Sequence, residues 1–175
     1  MKYLFYKIWK NKILTKLFGR GELFRLLFNF SPMYKNTGGK LVKVSDDLHY
    51  IKIQLLFNYK TRNYVGTIYG GHMYSSVDGI YVIQLIHILG DNYIVWDKSA
   101  IIKFKRPANK TLFADFKISD ELIEQIKKRD QGIGIITSFF SPSGFENVND
   151  RNIDLKIYLP FDFIFSSFRL SLIHI

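Results

Sequence analysis

The stretch NYVGTIYGGHMYSSVDGIYVIQL, residues 63–85, sets two adjacent glycines, Gly70 and Gly71, ahead of an apolar run with one carboxylate, Asp78, inside it. Apolar residues continue to Leu89 and Gly90 supplies a stop signal, so the pattern predicts one long buried helix from the glycine pair to about Leu89. A helix start presents unpaired backbone N–H groups and the positive end of the macrodipole. Glycines there let a ligand approach the backbone closely. Such a start can hold a carbonyl oxygen and stabilise it as it becomes an oxyanion, an effect of roughly 3–4 kcal/mol per donor. Asp78 follows Gly70 by about two turns. Its apolar neighbours Val77, Ile80 and Val82 predict a raised pKa, as a base working near neutrality requires.

On either side of this helix the hydrophobic period is two. In LVKVSDDLHYIKIQLLFNY two strand-like runs flank Asp46 and Asp47, and Ile51, Ile53, Leu55 and Phe57 alternate with Lys52, Gln54 and Asn58. After Gly90, Ala100, Ile102 and Phe104 share one strand face, with Lys103 and Lys105 on the other. Leu112, Ala114, Phe116 and Ile118 alternate with Asp115 and Lys117. A short charged helix follows in ISDELIEQIKKRDQG, capped by Ser119 or Asp120, and IGIITSFF and IDLKIYL read as two further strands. One long helix among about six mainly antiparallel strands is an α+β domain in which the sheet covers the helix.

The whole chain sets wider bounds. Its 175 residues suffice for one domain with a real core, and the absence of cysteine excludes disulfide and thiol chemistry. The net charge of +10 is concentrated: residues 1–30 hold seven Lys/Arg against one acid, Glu22, a net +6. The remainder is mildly basic, so nucleic acid is not an expected partner. Lysines interrupt residues 1–30 throughout, which excludes a signal peptide. Leu4, Phe5, Ile8, Trp9, Ile13, Leu17 and Phe18 fall near helical spacing, so this arm reads as an amphipathic helix. It either packs on its own domain or a partner subunit, or touches anionic lipid through residues 1–20.

The glycine-led helix, with RNYVGTIYGG, LGDNYIVWDKSAIIKFKRP and FKRPANKTLFADFKIS, carries a resemblance. From about Phe30 to Asp130 the chain resembles hotdog-fold acyl-CoA thioesterases of the phenylacetic-acid-degradation type. Within that superfamily it is most similar to a bacterial family of unassigned function that carries a domain of unknown function. The resemblance implies a hotdog domain over residues 31–159, between the arm at 1–30 and an apolar tail at 160–175. It also implies a homodimer or dimer of dimers in the cytoplasm, with the arm able to reach the inner membrane surface. The implied function is hydrolysis of an acyl-CoA or other acyl thioester without a cofactor; the alternative is a non-catalytic hotdog protein that binds acyl thioesters as sensor or carrier.

Residue by residue, the resemblance makes Asp78 the catalytic carboxylate, general base or nucleophile. Gly71 N–H becomes the oxyanion donor, and Asn63 orients water or substrate. Gly66, Thr67, Tyr69 and Gly70 line the substrate, and Lys105 and Arg106 are a landing site for coenzyme A phosphates. Tyr69 departs from the pattern, because those enzymes usually carry histidine before the glycine pair while the unassigned family commonly has an aromatic.

Each residue also has a plainer reading: Asp78 as a structural carboxylate, Asn63 as a turn cap, Lys103, Lys105 and Arg106 as a solvated strand face. His49, His72, His87 and His174 lack metal-ligand spacing and read as structural or solvated, so no metal is expected. Trp96 reads as core, and Asp97 and Lys98, as strand neighbours, point to opposite faces and cannot form one catalytic pair.

Overall fold

The computed structural model describes residues 11–91, 93–95, 99–128, 131–141 and 153–162. Residues 1–10, Trp96, Asp97, Lys98, His174 and the tail beyond Asp162 lie outside the described residues.

The chain is α+β and its sheet is antiparallel. Strands β1 (Gly39–Val44), β2 (Tyr50–Leu55), β5 (Leu112–Lys117), β6 (Gln131–Ser141) and β7 (Ile153–Asp162) lie side by side in that order. Two shorter strands, β3 (Ile94–Val95) and β4 (Ser99–Phe104), both pair with β7, so they occupy one edge while β1 occupies the other. β7 continues through Pro160 and Phe161 to Asp162.

Period-two patterning sets the register. Ile51, Ile53 and Leu55 of β2 are buried and stand opposite Phe116, Ala114 and Leu112 of β5, which are buried as well. Lys52 points the other way, 3.9 Å from the buried Asp115, whose carboxylate also accepts a 2.5 Å hydrogen bond from the Tyr50 hydroxyl. That bond and burial raise the Tyr50 pKa, burial being the larger cause.

The helix predicted to run unbroken from the glycine pair to Leu89 is two helices. α4 spans Gly70–Val77 and α5 spans Ile80–Leu89. Asp78 has left helical geometry (ψ 132°), and Gly79 adopts a left-handed φ of 73° that few residues other than glycine take readily. Both helices still bury one side against the sheet: Met73, Val77, Ile80, Tyr81 and Leu85 join Leu41, Ile53 and Phe116 in the core, with Tyr81 edge-on to Phe116 at 4.9 Å. Gln84, inside this apolar helix, donates 2.7 Å to the carbonyl of Leu48. Leu48 is buried with a φ of 63° in the β1–β2 turn, so α5 clamps the one described non-glycine residue with positive φ.

The basic arm is not separate from the domain along its whole length. α1 (Lys12–Phe18) is followed by α2 (Arg20–Phe30), and α2 buries Leu23, Phe24 and Phe28 in the core. Phe24 meets His87 of α5 edge-on at 5.6 Å, and Phe28 lies 4.6 Å from Tyr34 in the short α3 (Pro32–Lys35). Two polar contacts fix the docking. The Asp46 carboxylate accepts 2.7 Å from Gly21 N–H at the open start of α2, and Asn29 donates to and accepts from the Leu41 backbone at 2.9 and 2.8 Å. Asn29 thus satisfies part of the free edge of β1, where the β1–β2 register shifts. At the far end, α6 (Asp120–Lys128) is capped by Ser119, whose Oγ accepts from Leu122 N–H at 3.3 Å.

A side chain at Gly21 would collide with the backbone of Val44 and Ser45. In a free helix Gly→Ala is stabilising by about 1 kcal/mol. Here Gly21→Ala should instead destabilise by roughly 1–3 kcal/mol, because the clash is with backbone that cannot step aside. Urea unfolding reads the sign; a stabilised variant would mean α2 does not pack in this way.

Candidate active site

The segment before α4 is built by its own short polar side chains. Asn63 Oδ1 accepts from Thr67 N–H at 3.0 Å, its Nδ2 donates to Thr67 Oγ1 at 2.9 Å, and its backbone N–H donates to the Thr67 carbonyl at 2.7 Å. Gly66, at φ 81°, lets the chain reverse inside this loop. Both polar ends of Asn63 are therefore occupied by the loop, the behaviour of a turn cap. The loop is anchored on each side: Ile68 N–H donates to the Ala108 carbonyl and Tyr69 N–H to the Thr61 carbonyl, both at 2.8 Å. Ile68 is buried, and Tyr64, Val65 and Tyr69 are exposed around it.

α4 begins on this platform. The Tyr69 carbonyl accepts from His72 and Met73 N–H, while among the described residues the N–H groups of Gly70 and Gly71 have no acceptor, and no side chain caps the helix. These are the orphan donors a helix start leaves open. Gly70 lies against the ring of Phe104, to which an added Cβ would come within 3.0 Å, and Gly71 lies against the ring of Tyr69. Phe104 ends β4, and Lys105 and Arg106, which follow it in the chain, are both exposed. His72, one residue further, sits with Nδ1 2.8 Å from the Thr37 carbonyl; a carbonyl only accepts, so Nδ1 carries the proton.

The structure thus gathers Asn63, Gly66, Thr67, Tyr69, Gly70 and Gly71 at one end of α4 and sets Asp78 beyond the other, while Lys105 and Arg106 follow Phe104, whose ring packs on Gly70. Six residues, His72 to Val77, separate Gly71 from Asp78, which puts them about 10 Å apart along the axis. Asp78 is exposed, against the burial its apolar sequence neighbours suggested. The reason is the break: Val77 and Ile80 turn into the core, and the extended backbone at Asp78 carries its side chain out between them. Asp78 also precedes the first turn of α5, where negative charge is favoured. Around it the helix pair keeps an exposed, mainly apolar face that includes Tyr74 and Ile86.

Sequence patterning did not single out Phe104 as a site residue, although its place on the apolar face of β4 was visible; its packing on Gly70 was not. An open cleft of about 360 Å³ between Ser45, Asp47, His49, Tyr50 and Lys117 lies at the β1–β2 turn and holds none of the predicted site residues. Among the described residues, no group of three or more His, Asp and Glu gathers as a metal-binding set, and no helix is long and apolar enough to cross a membrane.

Comparison with known proteins places this architecture. A family model described as Domain of unknown function (DUF4442) matches residues 20–138. The chain belongs to this family. Its match begins at the first residue of α2. No curated protein matches the DUF4442 chain. Its fold is similar to a Pseudomonas aeruginosa protein of unknown function described as a probable thioesterase, with a TM-score of 0.65 and 13% identity over 80% of this chain and 93% of the other. It is similar to a Haemophilus influenzae thioesterase, with a TM-score of 0.57 and 11% identity over 82% and 90% of the two chains. It is also similar to the PaaI protein from the phenylacetic acid degradation operon of E. coli, with a TM-score of 0.52 and 14% identity over 80% and 90%. At such identities these likenesses show the hotdog fold alone.

The break at Gly79 is testable by sign. Nothing lies within 4 Å of an added Cβ there, so Gly79→Ala meets only the cost of its backbone conformation. It should destabilise by about 1–2 kcal/mol. A continuous helix through residue 79 would be stabilised by the same change, and thermal unfolding tells the two apart.

Proposed function

We propose that this DUF4442 protein hydrolyses an acyl thioester, in particular an acyl-CoA, at a site shared by two copies of the chain. The observation that carries the reading is the pair of N–H groups at Gly70 and Gly71 without an acceptor among the described residues, on a helix whose far end is followed by the exposed Asp78, with Tyr74 and Ile86 exposed on the same helix pair. A thioester carbonyl placed on Gly71 N–H would be polarised and its oxyanion stabilised. The attacking atom must then lie roughly 3–3.5 Å from the carbonyl carbon. Asp78 of the same chain is too far along α4 for a short carboxylate to deliver it. Asp78 of a second copy, packed against the exposed face of α4 and α5, removes that obstacle. The same contact would cover Tyr74 and Ile86 and withdraw Asp78 from water, which strengthens it as a base.

In this site Asp78 activates water as general base or attacks the thioester itself. Asn63 and Thr67 act through the loop they tie together, which holds Gly66, Tyr69 and Gly70 in place. Lys105 and Arg106, which follow Phe104 in the chain, suit coenzyme A phosphates. A homodimer, or a dimer of dimers, is the smallest assembly that completes the arrangement.

One observation favours a second reading. The ring of Tyr69 lies against Gly71, where the resembling thioesterases usually carry histidine, and a site narrowed in this way suits binding without turnover. The protein would then be a sensor or carrier of acyl thioesters.

Asp78→Asn separates the possibilities. Asp78 is exposed and the change nearly isosteric, so the melting temperature should stay within a degree or two of wild type. Hydrolysis across a panel of acyl-CoA chain lengths should fall by roughly 10²–10⁴-fold, the range for losing a general base. Full activity in the variant would remove Asp78 from the chemistry. Binding of acyl-CoA by wild type with no turnover on any member of the panel would favour the sensor.

A further inference from the structure

Helix α1 is well formed and poorly covered. The Asn11 side chain caps it by accepting from Ile13 and Leu14 N–H at 3.0 and 3.2 Å, and Gly19, at φ 79°, ends it. It buries no residue, and Ile13, Leu17 and Phe18 are 78%, 72% and 51% exposed. Ile13 and Leu17 stand one turn apart on a single face, and Lys12 and Lys16 stand one turn apart beside them. Both lysines are exposed, and neither forms an ion pair among the described residues. One glycine joins α1 to α2, which is fixed to the domain through Asp46, Phe24 and Phe28. The domain therefore presents this two-sided helix at its surface.

We propose that α1 docks on the surface of an anionic phospholipid bilayer. Ile13, Leu17 and Phe18 enter the boundary between headgroups and acyl chains, and Lys12 and Lys16 meet lipid phosphates. A helix with a narrow apolar stripe flanked by lysines lies in the interface plane and does not cross it. Charge favours lipid over an apolar protein groove: residues 1–25 contain one acid, Glu22, and it is already paired with Arg25. The ten residues before Asn11 continue the same composition in sequence, with Lys2, Lys7 and Lys10 among Tyr3, Phe5, Tyr6 and Trp9, the amphipathic aromatics and cations enriched at bilayer interfaces. This inference is independent of any activity at the glycine pair.

The test is sedimentation of the full chain with vesicles of phosphatidylcholine alone and of an equal mixture with phosphatidylglycerol. Binding should be confined to the anionic mixture. It should weaken from 0.1 to 1 M salt as the screening length falls from about 10 to 3 Å. Replacing Lys12 and Lys16 with Gln should reduce partitioning on the order of fivefold for each lysine. Ile13→Ser with Leu17→Ser should reduce it by about tenfold or more, through apolar surface that no longer leaves water. All four side chains are exposed, so unchanged melting temperatures check that the variants remain folded. No binding, equal binding to both vesicle types, or wild-type binding by either double variant would overturn the proposal. So would an oligomer, formed in the absence of lipid, that Ile13→Ser with Leu17→Ser dissociates.

Discussion

At Gly79 the backbone takes a left-handed turn that ends one helix and begins another, and the placement of Asp78 depends on it. A continuous helix would leave residue 78 on a lattice of fixed 100° steps, on whichever face the period assigned it. The break frees it from that lattice. Val77 and Ile80 both reach the core from either side, and Asp78 is carried outward between them. The packing of α4 and α5 on the sheet is kept, and a carboxylate that would be costly to bury is left in contact with water.

The same geometry divides the chemical groups. Donors at Gly70 and Gly71 and the Asn63–Thr67 loop meet at the N-terminal end of α4, with the Phe104 ring on Gly70; the acid stands beyond the other end. In the proposed site the N-terminal end of this eight-residue helix would hold the carbonyl and Asp78, beyond its far end, would be too distant to serve it in the same chain. Asp78 from a second copy would remove that obstacle. The exposed apolar face around Asp78 gives a second chain surface to bury, so assembly and chemistry would draw on the same contact. The buried polar clamps elsewhere, Gln84 on Leu48 and Asp46 on α2, hold the frame on which these ends are displayed.

Much of the frame was legible in the sequence because it obeys period two. Ile51, Ile53 and Leu55, and their partners Leu112, Ala114 and Phe116, alternate with polar residues and lie on one buried face. The glycine pair was legible too, since adjacent glycines before an apolar run mark a helix start. The break at Gly79 was not: an Asp-Gly step within an apolar run reads equally as a weak point or as a tolerated glycine, and packing decides between them. The packing of α2 on its own domain was one of two readings the arm allowed; that Phe24 and Phe28 carry it was not legible, because their burial depends on strands far along the chain. Asn63 carried no sign that both ends of its side chain would be used on Thr67, a contact four residues away that exists only once the loop has closed.

A site built from two copies has a direct signature in mixed assemblies. Asp78→Asn removes the carboxylate from one side of the site. Gly71→Pro removes the N–H donor from the other, at a helix position where no intrahelical bond is lost, and the exposed Tyr69 ring must swing aside for the new side chain. Each variant alone should be nearly inactive on acyl-CoA. Refolded together in equal amounts, about half of the dimers are mixed and each has one intact site, so about a quarter of wild-type activity should return. A mixture no more active than its parents would contradict a site shared between two chains.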